Sequence, residues 1–517
     1  MRLVVGITHL TPAWHILLEQ ISPPFEELNA DRAWTPENYA CIIVSGQPST
    51  SIINSLQHFV SKGGALLAEA KCAGSVFEIN SIGHFVDYID TTDDPLFGAV
   101  TPGFIGRRLD IPSGATFTRD KHGKQLIELK SIGNGKAIIL PEGIIDALLS
   151  SVCVRRNFPS RGRWLPSERV AGVSKRTIRE LIEQCLKQLF WHRNLPFVSL
   201  SPFPDGADSV FNFRIDTDFA SRQQVDKLYD LCLKHEIATT WFVETGSCEP
   251  WIDRYASMEG HEIGLHCYKH RISRKYLQNE QDVRKGKTIL KKSGICPEGY
   301  AAPFGEWHPS LAKAVEHHGF SYSSEFALDY DNLPFSPLVG ERFSSVVQVP
   351  VHPVSTGALR NARHSTNEMI GYFESVIEDH LARKLPLFFY DHPANPDLEA
   401  LNQLFQSVRN RNISVTTMGR YADWWKRRCS TDWSARLKEE RFQLSPYHDA
   451  DGIHVEVARP DGTHSQHLVS GEWPLSEIEW NSYRKAPSLS PHISVLHRLN
   501  YKMVLNNILH TYWKYKL

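Results

Sequence analysis

Residues 211–219 read Phe-Asn-Phe-Arg-Ile-Asp-Thr-Asp-Phe, an apolar strand that runs into a loop carrying two carboxylates. Side chains two positions apart on a strand project to the same face, so Arg214, Asp216 and Asp218 are expected to lie together. Two neighbouring buried carboxylates lose hydration and repel each other unless a cation compensates them. The stretch therefore predicts either a cation site at the end of a strand or a solvated Asp-x-Asp turn.

A second motif follows about fifty residues later, where residues 260–270 read Gly-His-Glu-Ile-Gly-Leu-His-Cys-Tyr-Lys-His. His266 and His270 are four apart, a spacing that can direct two imidazoles at one metal ion from a single helical turn. Together with Asp218 they supply a carboxylate and two histidines and leave coordination positions for water and substrate. Asp216 would then remain beside the metal, where a general base is needed.

These motifs resemble the polysaccharide-deacetylase (NodB-homology) domain of carbohydrate esterase family four. The later motifs of that family can be found in order, and the resemblance spans about residues 207–428. They are Gly-Tyr-Ala-Ala-Pro-Phe-Gly at 299–305, Gln-Val-Pro-Val at 348–351 and Leu-Phe-Phe-Tyr-Asp-His-Pro at 387–393. The resemblance implies an α/β fold with a distorted (β/α) barrel as the catalytic domain.

The resemblance also implies the role of each residue in the site. Asp216 would be the general base, His392 the general acid, and the backbone N–H of Phe304 a donor to the oxyanion. The metal ligands would be Asp218, His266 and His270. Zinc is the first choice for such a set, although Mn²⁺, Co²⁺ or Fe²⁺ can occupy similar sites.

The sequence departs from the family pattern at two positions. The arginine of the third motif, which steadies the base in the family, falls on Ala301, and we expect Arg214 to replace it from the same strand face as Asp216. Cys267 stands where the family has Ser or Thr, and it is either a small buried thiol or an additional metal ligand. Asp391 either orients the His392 imidazole or forms a salt bridge in the loop.

The implied function is metal-dependent hydrolysis of an N-acyl group, most simply acetyl, on an amino sugar of a glycan or glycan precursor. Two alternatives remain. The enzyme could cleave a formamide or another non-sugar C–N bond, or the domain could be a catalytically silent glycan-binding module. Activity on small amides but not on acetylated oligosaccharides would favour the first alternative, and a chain that binds no metal would favour the second.

The rest of the chain is expected to form three further segments. Residues 1–165 alternate strand and helix patterns and weakly resemble the flavodoxin-like domains related to class I glutamine amidotransferases. The amidotransferase Cys elbow is replaced by Val-Ser-Gly-Gln-Pro at 44–48, so this domain is expected to be non-catalytic. Residues 166–206 are predicted to be a helical connector, and residues 429–517 a β-rich region closed by a helix near Tyr501 to Tyr515.

Composition limits the possible partners of this chain of 517 residues. A net charge of -1 argues against nucleic-acid binding, and no apolar run is long enough for a transmembrane segment. The 9 cysteines form no Cys-x-x-Cys pair, which favours reduced thiols and a cytoplasmic location. The expected partner is an N-acylated sugar with no nucleotide cofactor, and the oligomeric state is left open.

Overall fold

A computed structural model describes residues 1–29, 33–162, 164–448 and 450–484. These residues form two compact units, each built from discontinuous stretches of the chain. Unit 1 comprises residues 1–150, 173–206 and 427–484, and unit 2 comprises residues 151–172 and 207–426. The helix predicted near Tyr501 to Tyr515 lies outside the described residues.

The strands and helices are as follows in chain order. The strands are β1 (Val5–Ile7), β2 (Phe25–Glu27), β3 (Cys41–Val44), β4 (Ala65–Glu69), β5 (Ser81–Asp90), β6 (Gly103–Pro112), β7 (Phe117–Asp120), β8 (Gln125–Ile132), β9 (Gly135–Leu140), β10 (Cys153–Asn157), β11 (Ser167–Ala171), β12 (Phe197–Leu200), β13 (Val210–Asp216), β14 (Thr239–Glu244), β15 (Glu262–Cys267), β16 (Gly299–Tyr300), β17 (Tyr322–Ser323), β18 (Leu338–Val339), β19 (Arg342–Phe343), β20 (Val347–Gln348), β21 (Leu387–Asp391), β22 (Ser414–Val415), β23 (Trp433–Lys438), β24 (Arg441–Pro446), β25 (His454–Ala458), β26 (Thr463–Leu468), β27 (Gly471–Pro474) and β28 (Asn481–Ser482). The helices are α1 (Pro12–Ile21), α2 (Thr50–Ser61), α3 (Ala70–Phe77), α4 (Lys175–His192), α5 (Arg222–Lys234), α6 (Thr245–Cys248), α7 (Asp253–Ala256), α8 (Tyr276–Lys292), α9 (Pro309–His317), α10 (Thr356–Asn361), α11 (Thr366–Ala382), α12 (Leu398–Asn410) and α13 (Met418–Cys429). Within the described ranges, none of these helices is both long and apolar enough to cross a membrane.

Unit 1 is organised around a nine-stranded sheet in the order β2-β1-β3-β4-β9-β8-β7-β5-β6. The first five of these strands pair in parallel. Counted among themselves they follow the 2-1-3-4-5 order of flavodoxin-like sheets. The antiparallel strands β5 to β8 are inserted before the last parallel strand, and the sequence reading did not anticipate them.

Two segments that the sequence analysis separated from the N-terminal domain are grouped with unit 1. Helix α4, which we expected to be a connector, buries an apolar stripe that includes Ile178, Leu181, Cys185 and Leu189. Strand β12 pairs antiparallel with β25, so the β-rich C-terminal region shares a sheet with residues near 200. The Pro-Asp-Gly turn at 460–462 connects β25 and β26 as predicted. The four consecutive segments drawn from sequence therefore differ from this grouping, because pairing between distant strands leaves no local signal.

Unit 2 contains the predicted distorted (β/α) barrel. Its parallel strands are ordered β20-β17-β16-β15-β14-β13-β21, and β22 also pairs with β13. The two ends of the sheet meet through a backbone hydrogen bond from His352 N to Phe388 O of 2.7 Å. Most strands are followed by a helix, as parallel connections require. The carboxyl ends of β13, β15 and β21 therefore open at one rim, where barrel enzymes carry their active sites.

Candidate active site

The first part of the site is a buried ion pair at the end of β13. Arg214 donates from Nε to Asp216 Oδ1 at 2.7 Å and from Nη2 to Asp216 Oδ2 at 2.6 Å. The third nitrogen, Nη1, donates to the Ser324 carbonyl oxygen at 2.6 Å. The guanidinium is 0% exposed, and both oxygens of the carboxylate accept from it. The pair therefore fixes the direction of the Asp216 carboxylate.

The charge state of Arg214 follows from its surroundings. Burial acts to lower the pKa of the guanidinium, but the charge and hydrogen bonds of Asp216, with a contribution from Glu325, raise it above its ordinary value. The arginine is therefore a permanent cation beside Asp216. The predicted contact between Arg214 and Asp216 is present, and Ala301 lies buried in the loop after β16, where the family arginine would begin.

The second part of the site brings Asp218, His266 and His270 together. Asp218 Oδ1 lies 3.1 Å from His266 Nε2 and 3.2 Å from His270 Nε2. The donor atoms of the three side chains all lie within 4.8 Å of one another. Donors about 3.3 Å apart are what tetrahedral bonds of about 2.0–2.1 Å produce, so the spacing suits a small divalent cation.

The hydrogen bonding of these residues also fits a metal ion. Asp218 Oδ1 and His266 Nε2 are buried and have no hydrogen-bond partner among the described residues. His266 Nδ1 lies 2.7 Å from the carbonyl oxygen of Ala301, which can only accept, so the proton of the neutral ring is on Nδ1. The lone pair of Nε2 then faces Asp218, as in histidines that bind metals through one nitrogen and donate from the other.

The backbone that carries these ligands differs from the one we predicted. His266 lies in β15 and His270 in the bend that follows it, so the two imidazoles converge from a strand end and a loop, not from one helical turn. Asp218 lies beyond the end of β13 with a φ of 42°, and the strand alternation that links Arg214 to Asp216 does not extend to it. A left-handed residue turns the chain at this point, which brings Asp218 toward the histidines.

His392 follows β21 and reaches the same cluster. Its Nε2 lies 3.5 Å from Asp218 Oδ2. Asp391 accepts the His392 backbone N–H at 2.8 Å and the Thr356 backbone N–H at 3.0 Å, so it orders the loop rather than orienting the imidazole. Burial acts to raise the pKa of Asp218, but the imidazoles of His392, His266 and His270 around it hold it well below its ordinary value.

Two neighbouring side chains complete the surroundings of His270 and His266. Phe304 sits in a tight turn with a φ of 60°, and its ring packs edge-on against His270 with 4.5 Å between ring centroids. Cys267 is fully buried, and burial raises the pKa of its thiol well above the ordinary value. Cys267 is not one of the residues whose donor atoms converge with Asp218, which favours a buried thiol at the Ser/Thr position.

A β-hairpin distant in sequence contributes residues that the sequence analysis missed. Strands β10 and β11 pair antiparallel, and Ala171 N donates to Phe326 O at 3.0 Å. Arg169 Nη2 lies 2.9 Å from Glu306 Oε1, directly after the third motif. Burial raises the pKa of Glu168 on the same hairpin above its ordinary value. The Arg169 backbone N–H and the charge of Arg155 act to lower it. The sequence of residues 151–172 contains no pattern that predicts these contacts, because the hairpin meets the barrel only in the folded chain.

The fold and the geometry thus define a barrel domain with a carboxylate and two imidazoles at its rim, a second carboxylate held by arginine, and a further histidine. Residues 212–323 match the polysaccharide deacetylase family model. The chain therefore contains a polysaccharide deacetylase domain of the NodB-homology type.

Individual relatives are similar over parts of the chain. A peptidoglycan deacetylase from Helicobacter pylori is 29% identical over 133 residues, which span 25% of this chain and 45% of that relative. A probable polysaccharide deacetylase from Pseudomonas aeruginosa PAO1 is 17% identical with a TM-score of 0.38, covering 44% of this chain and 94% of that structure. A CE4 family pseudoenzyme from Bacillus anthracis is 14% identical with a TM-score of 0.31, covering 44% and 70%.

Proposed function

We propose that this protein is a metal-dependent hydrolase that removes an N-acyl group, acetyl in the simplest case, from an amino sugar of a glycan or glycan precursor. The observation that carries the proposal is the convergence of Asp218, His266 and His270 beside Asp216. The name of the Helicobacter pylori relative, a peptidoglycan deacetylase, supports an N-acylated glycan as the substrate class.

Each residue of the site has a distinct part in the proposed reaction. A divalent metal held by Asp218, His266 and His270, most simply zinc, would acidify a water molecule and polarise the acyl carbonyl. Asp216, oriented by Arg214, accepts the proton of the water that adds to the acyl carbon. The Phe304 backbone N–H donates to the developing oxyanion. His392 protonates the leaving nitrogen as the C–N bond breaks, which releases the amine and the carboxylic acid.

The first test is metal content, measured by elemental analysis of the purified full chain after loading with Zn²⁺ and dialysis. His266→Ala/His270→Ala removes two of the three proposed ligands. The variant is therefore expected to bind one equivalent of zinc per chain less than the wild type. His9→Ala/His317→Ala is the matched control, since it also removes two imidazoles but both are exposed. The control is expected to keep the full zinc content.

The second test is release of acetate from N-acetylated amino-sugar oligosaccharides. The loaded wild type is expected to release acetate, and both His266→Ala/His270→Ala and His392→Ala to lose most of this activity. His392→Ala is expected to keep its metal, because His392 is not one of the proposed ligands. A loaded wild type that deacetylates no sugar but hydrolyses small formamides would overturn the substrate class and keep the chemistry. Loss of zinc from neither double variant would overturn the metal site.

A further inference from the structure

Unit 2 contains a second cluster of one carboxylate and two imidazoles, apart from the site described above. Asp331 lies in the loop before β18, His352 follows β20 and His380 belongs to α11. Their donor atoms all lie within 4.8 Å of one another. His352 and His380 are buried, and the Asp331 side chain is 14% exposed.

The distances in this cluster resemble those in the first. Asp331 Oδ1 lies 2.9 Å from His352 Nδ1 and 3.4 Å from His380 Nε2. Tetrahedral zinc with bonds of about 2.0–2.1 Å separates its donors by about 3.3 Å. The two distances bracket that value, and the two distances around Asp218 lie within a few tenths of an ångström of it.

The outer nitrogens of both rings have partners. His380 Nδ1 lies 2.9 Å from the Pro386 carbonyl oxygen, which can only accept, so Nδ1 carries a proton. His352 Nε2 lies 3.0 Å from the Tyr372 hydroxyl, which can donate or accept in this hydrogen bond. The His380 contact is that of a metal-binding histidine, whose second ring nitrogen donates to a carbonyl and fixes the ring. The Tyr372 hydroxyl can serve His352 in the same way when its Nδ1 binds a metal.

The inner face of the cluster requires a cation. In its neutral form, His380 presents the lone pair of Nε2 to the Asp331 carboxylate, and two electron-rich atoms at 3.4 Å repel each other. A proton on His380 would satisfy this pair alone. A metal ion would satisfy Asp331, His352 and His380 together.

We propose that Asp331, His352 and His380 form a second, structural site for a divalent transition metal such as zinc. The three ligands come from two loops and a helix, so a bound ion would tie these segments of the barrel together. Phe158 and Phe389 pack against the His352 ring with centroid distances of 6.2 and 5.7 Å. These rings limit the approach of a substrate from the side of His352, and a water molecule would fill the fourth position of a tetrahedral ion.

The test uses the full chain in the His266→Ala/His270→Ala background, so that the second site is measured without the first. After loading with Zn²⁺ and dialysis, this protein is expected to retain about one equivalent of zinc and to melt at a higher temperature than its chelator-treated form. Adding Asp331→Asn is expected to abolish both the bound zinc and the shift. Asn has nearly the size of Asp and cannot supply the charge.

His364→Gln in the same background is the matched control, because it replaces another buried histidine of unit 2, one paired with Ser160. It is expected to keep the zinc. A background protein that holds no zinc would overturn the proposal, whatever the wild type binds. Zinc that persists at one equivalent after Asp331→Asn would also overturn it. If Asp331→Asn alters the far-ultraviolet circular dichroism spectrum, His380→Gln replaces it with the same expected loss.

Discussion

Replacing Arg214 by Met tests whether the buried pair with Asp216 organises the active site. Met fills part of the same volume but removes the cation to which both Asp216 oxygens are bonded. Asp216 is only 3% exposed, so it would be left as a buried carboxylate without its partner. Breaking a buried pair in this way costs about 3–5 kcal/mol, and we expect the free energy of unfolding to fall by that amount at neutral pH.

The loss should depend on pH in a defined direction. Once the cation is gone, proton binding to the buried carboxylate becomes more favourable, so acid relieves part of the penalty. The destabilisation is therefore expected to be largest near pH 7 and smaller near pH 4.

The measurements are urea unfolding followed by circular dichroism, with hydrogen exchange of the β13 peptide to assign the loss to unit 2. Arg214→Met/Asp216→Asn removes both charges and is expected to be more stable than Arg214→Met alone. Arg409→Met is the matched control, because its pair with the exposed Glu236 should contribute less than about 1 kcal/mol. The reasoning is refuted if Arg214→Met unfolds within about 1 kcal/mol of the wild type, or if Arg214→Ala keeps full turnover.

Three further variants test the surrounding fold. Glu325 is 2% exposed and burial raises its pKa to about 7, so the folded protein loses stability as pH rises from about 4.5 through 7. Glu325→Gln should therefore raise the free energy of unfolding by up to about 3 kcal/mol above pH 7 and leave it unchanged below pH 4.5. A gain that does not depend on pH would contradict this. Arg428 donates to four backbone carbonyls of unit 1. Arg428→Met should therefore lower the free energy of unfolding by at least about 3 kcal/mol in urea titrations. An unchanged free energy of unfolding would show that water replaces these bonds. Ser365 caps the N-terminus of α11, and Glu368 bonds back to the Ser365 backbone. Ser365→Ala should lower the free energy of unfolding by about 1 kcal/mol and the melting temperature with it. An unchanged melting temperature would show that the cap is dispensable.

The convergence of the first cluster could be predicted from sequence because each of its motifs follows a parallel strand. Asp218 follows β13, His266 lies in the last two residues of β15 and His392 follows β21, and the carboxyl ends of such strands share a rim. The pairing of Arg214 with Asp216 could be predicted for a similar reason, since both lie on one strand two residues apart. The local path of the chain at Asp218 could not, because a single left-handed residue breaks the alternation.

Residues whose surroundings depend on distant contacts were beyond sequence reasoning. Arg169 reaches Glu306, directly after the third motif, from a hairpin more than one hundred residues earlier. The apolar stripe of α4 predicts a helix but not the sheet that the helix covers. From sequence alone α4 is therefore predicted to be a connector. No sequence spacing that resembles a known motif links Asp331, His352 and His380, which come from two loops and a helix.

The two carboxylate and imidazole clusters of unit 2 share the type and spacing of their side chains and differ in access. Around Asp218, whose side chain is 28% exposed, lie a second carboxylate and His392, which are the groups that move protons in hydrolysis. Around Asp331 lie aromatic rings and the Tyr372 hydroxyl. Chelation of the wild type would act on both clusters at once and would lower turnover and stability together. Only variants that disable one cluster at a time can therefore assign turnover to Asp218 and stability to Asp331.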